Sequence, residues 1–306
     1  SGTRLKVALV QTSEDVIFSP MTRDQIEHRI QRVVALTNQA AANQPNLICW
    51  PESGLTPCQW LLSDASADYS VEDAENEIRL FWSEAVNRDE LQGTPLLTGA
   101  LANDVQKQQI FNAAVLIDRQ GKFAGRYDKI HPVMFGEYIP FGQWFPVLER
   151  MAPMRSIEFG QTFKAFNVDD FIVAPSICFE TTIPHLIRRQ VNTLATQNLE
   201  PNVLINLTND GWFFGTSCLD LHLACNVFRA VEMRKPHLVC ANTGFSASID
   251  SSGRIQQLGP RRSESVIVAS IKKENRSSQL FVCKIFIGGI GYNFAAGRSI
   301  SILINC

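Results

Sequence analysis

The chain has 306 residues, 45% of them hydrophobic and 19% charged, and a formal net charge of −2. That length and apolar share suit a large folded core in one domain or two, and exclude a disordered segment. Lys and Arg are scattered, the densest pair being Arg261-Arg262, so nucleic acid is not expected as a partner.

Strands and helices alternate in chain order. Residues 5–10 read as a buried strand. Residues 24–42 set Ile26, Ile30, Val33 and Val34 on one helical face, with Asp24 as the expected cap. A strand over 46–50, a helix over 73–88 and a strand over 95–100 follow. Residues 111–118 and 122–127 form a hairpin around Arg119-Gln120-Gly121. Residues 131–155 are irregular, Pro-rich and aromatic. A strand at 171–178, a helix at 182–197, a strand at 203–207 and a helix at 219–234 come next. The last strands are 237–241, 246–250 and 266–271, with Asp250-Ser251-Ser252-Gly253 as the second hairpin turn. The strand-turn-strand units 111–127 and 237–271 imply two sheets in one body. Buried strands separated by helices imply an α/β fold with helices on the outer faces.

The eight cysteines form no CxxC pair, and there is no HExxH pattern, so neither a metal site nor a disulfide framework is indicated. No run of about 20 apolar residues is present to span a bilayer. Leu280 to Gly297 is mostly apolar but is interrupted by Lys284 and four glycines. It reads as a packed arm, or as the stub of a membrane segment. The chain starts Ser1-Gly2 without Met, which resembles an expression scar or an excised domain.

Three strand ends carry chemistry. Cys178 follows the apolar run 171–177 and is followed by Phe179-Glu180. Trp50-Pro51-Glu52-Ser53 places a carboxylate after a second strand. Tyr127-Asp128-Lys129-Ile130-His131 places an ammonium after a third. A thiol with an ordinary pKa of about 8.5 needs a base to become a nucleophile. None of the five histidines shows a Cys-His arrangement in the sequence, so Glu52 is the better candidate. Lys129 and the backbone N–H after Cys178 would meet the oxyanion formed on attack at a carbonyl. Taken singly, Cys178 reads as a core cysteine, Pro51-Glu52 as a helix cap and Lys129 as a surface lysine. The three together make a cysteine acyl-transfer site.

These segments resemble the signature segments of the nitrilase (carbon–nitrogen hydrolase) superfamily in order and spacing. Glu52 and Lys129 are 77 residues apart, and Lys129 and Cys178 are 49 apart. The resemblance implies a four-layer α-β-β-α sandwich over 1–272, with 273–306 as a C-terminal arm or membrane-proximal remnant. It implies a triad of Glu52 as base then acid, Lys129 as stabiliser of the tetrahedral intermediate, and Cys178 as thioester former. Glu137 would help to position the triad, supported by Phe179 and Glu180. No cofactor is implied.

Phe135-Gly136-Glu137-Tyr138-Ile139-Pro140, Cys178-Phe179-Glu180 and Asn209-Asp210-Gly211-Trp212-Phe213 are most similar to the apolipoprotein N-acyltransferase branch. Arg229-Ala230-Val231-Glu232 and Ala241-Asn242-Thr243-Gly244 continue that match. The branch implies a phospholipid acyl donor, the N-terminal amine of a diacylated lipoprotein as acceptor, and a membrane surface. It also implies a catalytic domain on the periplasmic side of a bacterial inner membrane. Tyr138, Trp212 and Phe213 would then line the substrate side. Phe135, Ile139, Phe141, Trp144, Phe145 and Phe214 add apolar side chains suited to a lipid, or to an ordinary core or interface. A soluble cytoplasmic amidase acting on a small amide or nitrile stays open, with the homodimer common among soluble members. So does a non-catalytic scaffold.

Overall fold

The computed structural model describes residues 3–14, 22–52, 59–60, 93–104, 109–140 and 156–273. The expected helix at 73–88, Ser53, Phe141, Trp144, Phe145 and the segment Leu280 to Gly297 lie outside the described residues.

Strand β1 (Arg4–Gln11) shows why the central strands read as continuous apolar runs. Its alternation sends Leu5, Val7 and Leu9 to one face and Ala8 and Val10 to the other, and both faces are buried. Helix α1 (Arg23–Ala41) covers the second face with Val33, Leu36, Ala40 and Ala41. Its cap is Thr22, not Asp24. Thr22 accepts from the Gln25 N–H while the Gln25 side chain accepts from the Thr22 N–H. A residue caps only from just outside the helix, and Asp24 already lies in its first turn.

The first sheet continues through β2 (Leu47–Cys49), β3 (Gln59–Trp60), β4 (Leu96–Asp104), β5 (Gln109–Ile117) and β6 (Phe123–Asp128). The second is built from β7 (Phe166–Val168), β8 (Phe171–Ile177), β9 (Val203–Thr208), β10 (His237–Ala241), β11 (Ala247–Ile249) and β12 (Ile255–Leu258). Its order is β12-β11-β10-β9-β8-β7, with β8, β9 and β10 parallel. Helices α2 (Pro184–Thr196) and α3 (Cys218–Met233) make the crossovers. The last strand, β13 (Ser265–Lys272), pairs antiparallel with β1 and closes the first sheet in the order β13-β1-β2-β4-β5-β6. Residues 237–271 are therefore not one unit. The Asp250–Gly253 turn joins β11 to β12, and the chain then returns to the other sheet.

The inner faces meet in one apolar layer that includes Leu5, Val7, Leu47, Tyr127, Phe171, Val173, Ile205 and Leu238. Each such side chain contributes roughly 1.5–3 kcal/mol by burial. On the far side of the second sheet, Ile187, Val191, Leu194 and Met233 pack on Ala174 and Leu204. Helix, sheet, sheet and helix form the expected α-β-β-α sandwich. Pro175 fits inside β8 because β7 pairs only with residues 171–173, so on that side no strand needs its missing N–H, and its carbonyl accepts from Gln190 Nε2 of α2 at 2.6 Å. Among the described residues, no helix is long and apolar enough to cross a membrane.

Candidate active site

Each strand carrying a candidate residue ends at the same place in the sandwich. Trp50, just past β2, is buried, and its indole N–H donates to Thr37 Oγ1 of α1 at 3.0 Å. Its backbone N–H donates to Leu97 O, and Gly99 N–H donates to Pro51 O, so the chain stays against β4 as far as Glu52. Lys129 is the first residue beyond β6, held by its N–H on Asn112 O and by Gly160 N–H on its carbonyl.

There a buried charged cluster forms. The Lys129 ammonium lies 2.8 Å from Glu137 Oε2 and 3.3 Å from Glu52 Oε1. The Asn112 amide donates to Glu52 Oε1 and to Glu137 Oε1, each at 2.7 Å. Asn209 N–H donates to Glu52 Oε2 at 2.9 Å, and Val133 N–H to Glu137 Oε2 at 2.7 Å. Lys129 is 1% exposed, so its charge depends on these partners. Burial alone would push its pKa down, but the Glu52 and Glu137 carboxylates outweigh it, the net direction is up, and it stays an ammonium.

Cys178 does not belong to β8 but opens the 3-10 turn Cys178–Thr182, at a left-handed φ of +50°. Non-glycine residues hold this conformation only when their surroundings fix it. Burial and the Glu52 carboxylate push the thiol pKa up, against the pull of the Lys129 ammonium and a Thr208 hydrogen bond. The resting sulfur is therefore a thiol with a carboxylate and an ammonium acting on it.

Glu180, fully buried, ties the Cys178 turn to the lysine segment. It accepts from Tyr127 Oη at 2.8 Å, Ile130 N–H at 2.8 Å, His131 N–H at 3.2 Å and Ile177 N–H at 2.8 Å. Burial raises its pKa, and these donors hold it down only in part. Phe179 is exposed and stacks with His131, ring centroids 6.5 Å apart. Tyr138 is half-buried, edge-on to Phe159 at 4.9 Å. Trp212 and the half-buried Phe213 sit in the 3-10 turn Asp210–Phe213, directly after Asn209. Phe135 and Phe214 are 77% and 67% exposed, both at positive φ, and Met134 is also exposed.

Sequence reasoning missed several members of the cluster. Asn112 joins the two carboxylates from inside β5, and Asn206 donates to Cys178 O at 3.2 Å. His222 was set aside with the other histidines, yet its Nε2 lies 3.1 Å from Cys178 O. A usable signal was present. Leu219, His222, Asn226, Arg229 and Met233 fall on the buried face of α3, where polar residues need partners.

The chain belongs to the carbon–nitrogen hydrolase family, whose model matches residues 6–278. Among curated proteins it is 29% identical over 275 residues to an apolipoprotein N-acyltransferase of Geobacter metallireducens, covering 89% of this chain and 48% of that protein. It is 31% identical over 262 residues to one of Brucella melitensis, covering 82% and 44%. The chain thus spans about half the length of these relatives. Two solved structures share the fold at 16% identity. One is Saccharomyces cerevisiae Nit3, a member of branch 10 of the nitrilase superfamily (TM-score 0.62, covering 88% of this chain and 90% of that one). The other is XC1258 of Xanthomonas campestris, a CN-hydrolase superfamily protein (TM-score 0.61, covering 88% and 91%).

Proposed function

We propose that this chain transfers a fatty acyl group from a phospholipid to the N-terminal amine of an S-diacylglyceryl-cysteine lipoprotein, through a thioester on Cys178. The observation that carries the chemistry is the Glu52–Lys129 contact at 3.3 Å, with both charges acting on the Cys178 thiol. Glu52 takes the thiol proton as the sulfur attacks the ester carbonyl. Lys129 and the Phe179 N–H meet the oxyanion. The lysophospholipid oxygen leaves with the proton from Glu52, and the thioester remains. The lipoprotein amine then attacks that thioester, Glu52 takes its proton, and collapse to the amide returns the proton to sulfur. Glu137 and Glu180 act as positioning residues in this cycle.

A second observation favours lipid over a small amide. Met134, Phe135, Phe179, Trp212 and Phe214 are exposed apolar side chains, each within a few residues of Glu137, Cys178 or Asn209. Such side chains suit a bilayer surface better than a closed pocket. With Tyr138 and Phe213 they would guide the acyl chain. On this reading residues 1–272 are the catalytic domain, 273–306 are a C-terminal arm or the remnant of a membrane-proximal segment, and the domain works on the periplasmic face of an inner membrane. The similarity to apolipoprotein N-acyltransferases supports the same reading.

The test is intact-protein mass spectrometry after incubation with detergent-solubilised phospholipid, wild type beside Cys178→Ala. An added fatty acyl mass, released by hydroxylamine and missing in the variant, is expected. Ammonia release from short amides without any adduct would make the chain an amidase instead.

A further inference from the structure

Beneath the nucleophile turn, a chain of hydrogen bonds runs from the Thr208 hydroxyl to the Cys178 carbonyl. Thr208 Oγ1 donates to Asp210 Oδ1 at 2.9 Å. The same oxygen lies 2.9 Å from His222 Nδ1, and His222 Nε2 lies 3.1 Å from Cys178 O. Nε2 also lies 3.1 Å from Thr181 Oγ1, whose own proton points to Cys178 O at 3.3 Å. Asp210, His222 and Thr208 are all buried. The proposed cycle names none of them.

Both ring nitrogens of His222 face acceptors, a carboxylate on one side and a carbonyl on the other. A neutral ring would turn a lone pair towards one of them, whereas an imidazolium donates to both. Burial pushes the ring pKa down, but Asp210 outweighs it and the net direction is up. The carboxylates acting on the ring are Asp210 after β9 and Glu52 after β2, and both favour the cation. Arg229 on α3, whose guanidinium donates to Thr181 O at 3.3 Å, opposes it, while His237 on β10 is neutral at pH 7.5.

The carbonyl that His222 grips shares a rigid trans peptide with the Phe179 N–H, and the two point in opposite directions. Pulling the carbonyl inwards therefore turns that N–H outwards, towards the place where an oxyanion would form. We infer that His222, held as an imidazolium by Asp210, is a positioning residue that locks the Cys178–Phe179 peptide so that its N–H serves the oxyanion. The inference rests on Cys178 being the nucleophile. It does not depend on the lipid substrate.

The experiment compares two reactions of Cys178 in the full chain, wild type beside His222→Ala and His222→Gln. Acylation by p-nitrophenyl butyrate, which forms the thioester and releases p-nitrophenol, passes through an oxyanion. Alkylation by iodoacetamide, which displaces iodide, does not. His222→Ala is expected to slow acylation about ten- to a hundredfold, short of the full loss of one oxyanion donor. Alkylation should change much less. His222→Gln, which keeps a donor near Nε2, should restore most of the acylation rate. Equal slowing of both reactions would reduce His222 to a structural role and overturn the inference, as would no slowing of either. Should His222→Ala fail to fold, nitrogen NMR of the histidine rings in the unaltered chain still decides. Two ring N–H signals for His222 at pH 7.5 are expected, lost in Asp210→Asn, and a neutral ring overturns the inference. A wild-type Cys178 inert to both reagents would instead remove the nucleophile itself, and the inference with it.

Discussion

Asn112 offers the sharpest test of the buried cluster. Its amide donates to Glu52 Oε1 and Glu137 Oε1, each at 2.7 Å, from a strand position only 5% exposed. Leucine at this position keeps the volume and removes both donors. A hydrogen bond to a charged group is worth about 1.5–3 kcal/mol, so two such bonds give roughly 3–5 kcal/mol after partial relaxation. The acceptors remain buried and charged, and water has little access to replace the lost donors. At about 2–4 °C per kcal/mol for a domain of this size, the expected drop in Tm is roughly 6–20 °C. The rate should fall too, because Glu52 loses one of its three fixing contacts, and a base displaced by about 1 Å can cost on the order of a hundredfold. The assay is a thermal melt beside the time course of Cys178 acylation, followed by mass. An Asn112→Leu protein that melts within about 2 °C of wild type, with an unchanged acylation rate, would refute the view that this amide organises the two carboxylates.

Other perturbations have equally definite outcomes. Lys129→Met leaves Glu52 and Glu137 buried without their ammonium, so a loss of about 3–5 kcal/mol in urea unfolding is expected together with loss of acylation. In Gly160→Ala, the new Cβ would fall on the Asp128 carbonyl oxygen and 2.7 Å from its carbonyl carbon. This forces back the strand end that carries Lys129. About 1–3 kcal/mol of destabilisation, visible in the melt, and slower acylation should appear together. His237 is buried with neither ring nitrogen hydrogen-bonded, and burial followed by repulsion from Arg229 and His222 lowers its pKa to about 3. Between pH 6.5 and 3 the unfolded chain binds a proton there that the folded chain refuses. Stability should thus fall as the pH is lowered from 6.5 towards 3, by up to about 1.4 kcal/mol per unit. His237→Leu should remove that slope from the urea midpoints between pH 6.5 and 4.5, whereas an identical slope in both proteins would contradict the assignment.

The fold was legible where burial imposes a simple pattern. β1, β8, β9 and β10 are covered on both faces, so their sequences are unbroken apolar runs, and α1 shows its buried stripe every third or fourth residue. β12 gave no such signal, because all four of its residues are exposed at a sheet edge. β7 is three residues long and gains its place only by pairing with β8. The return of β13 to β1 is a register between residues 4–11 and 265–272, which no local pattern encodes. In the candidate site, the clustering of Glu52, Lys129 and Cys178 was readable because reactive residue types stand directly after apolar strands. Asn112 was not, since a polar residue inside a strand looks like an outward-facing position until both faces are known to be covered. His222 is 44 residues from Cys178 in sequence, and only the packing of α3 on the second sheet brings them together.

The cluster holds two carboxylates, one ammonium and an uncharged thiol, a net formal charge of −1 before reaction. An isolated Glu52–Lys129 pair would be simpler, but in the proposed cycle Glu52 becomes neutral as it takes the thiol proton. Lys129 would then lose its anionic partner just as it must hold position for the oxyanion. Glu137 removes that difficulty. Its Oε2 lies 2.8 Å from the ammonium, closer than Glu52 at 3.3 Å, and is itself fixed by Val133 N–H. The ammonium therefore keeps a partner and a position whichever way the proton has moved. Such fixed charge, set in place before reaction and shielded from water, is the arrangement that stabilises developing charge most strongly. It also explains why a buried lysine here carries two acidic neighbours where one would neutralise it.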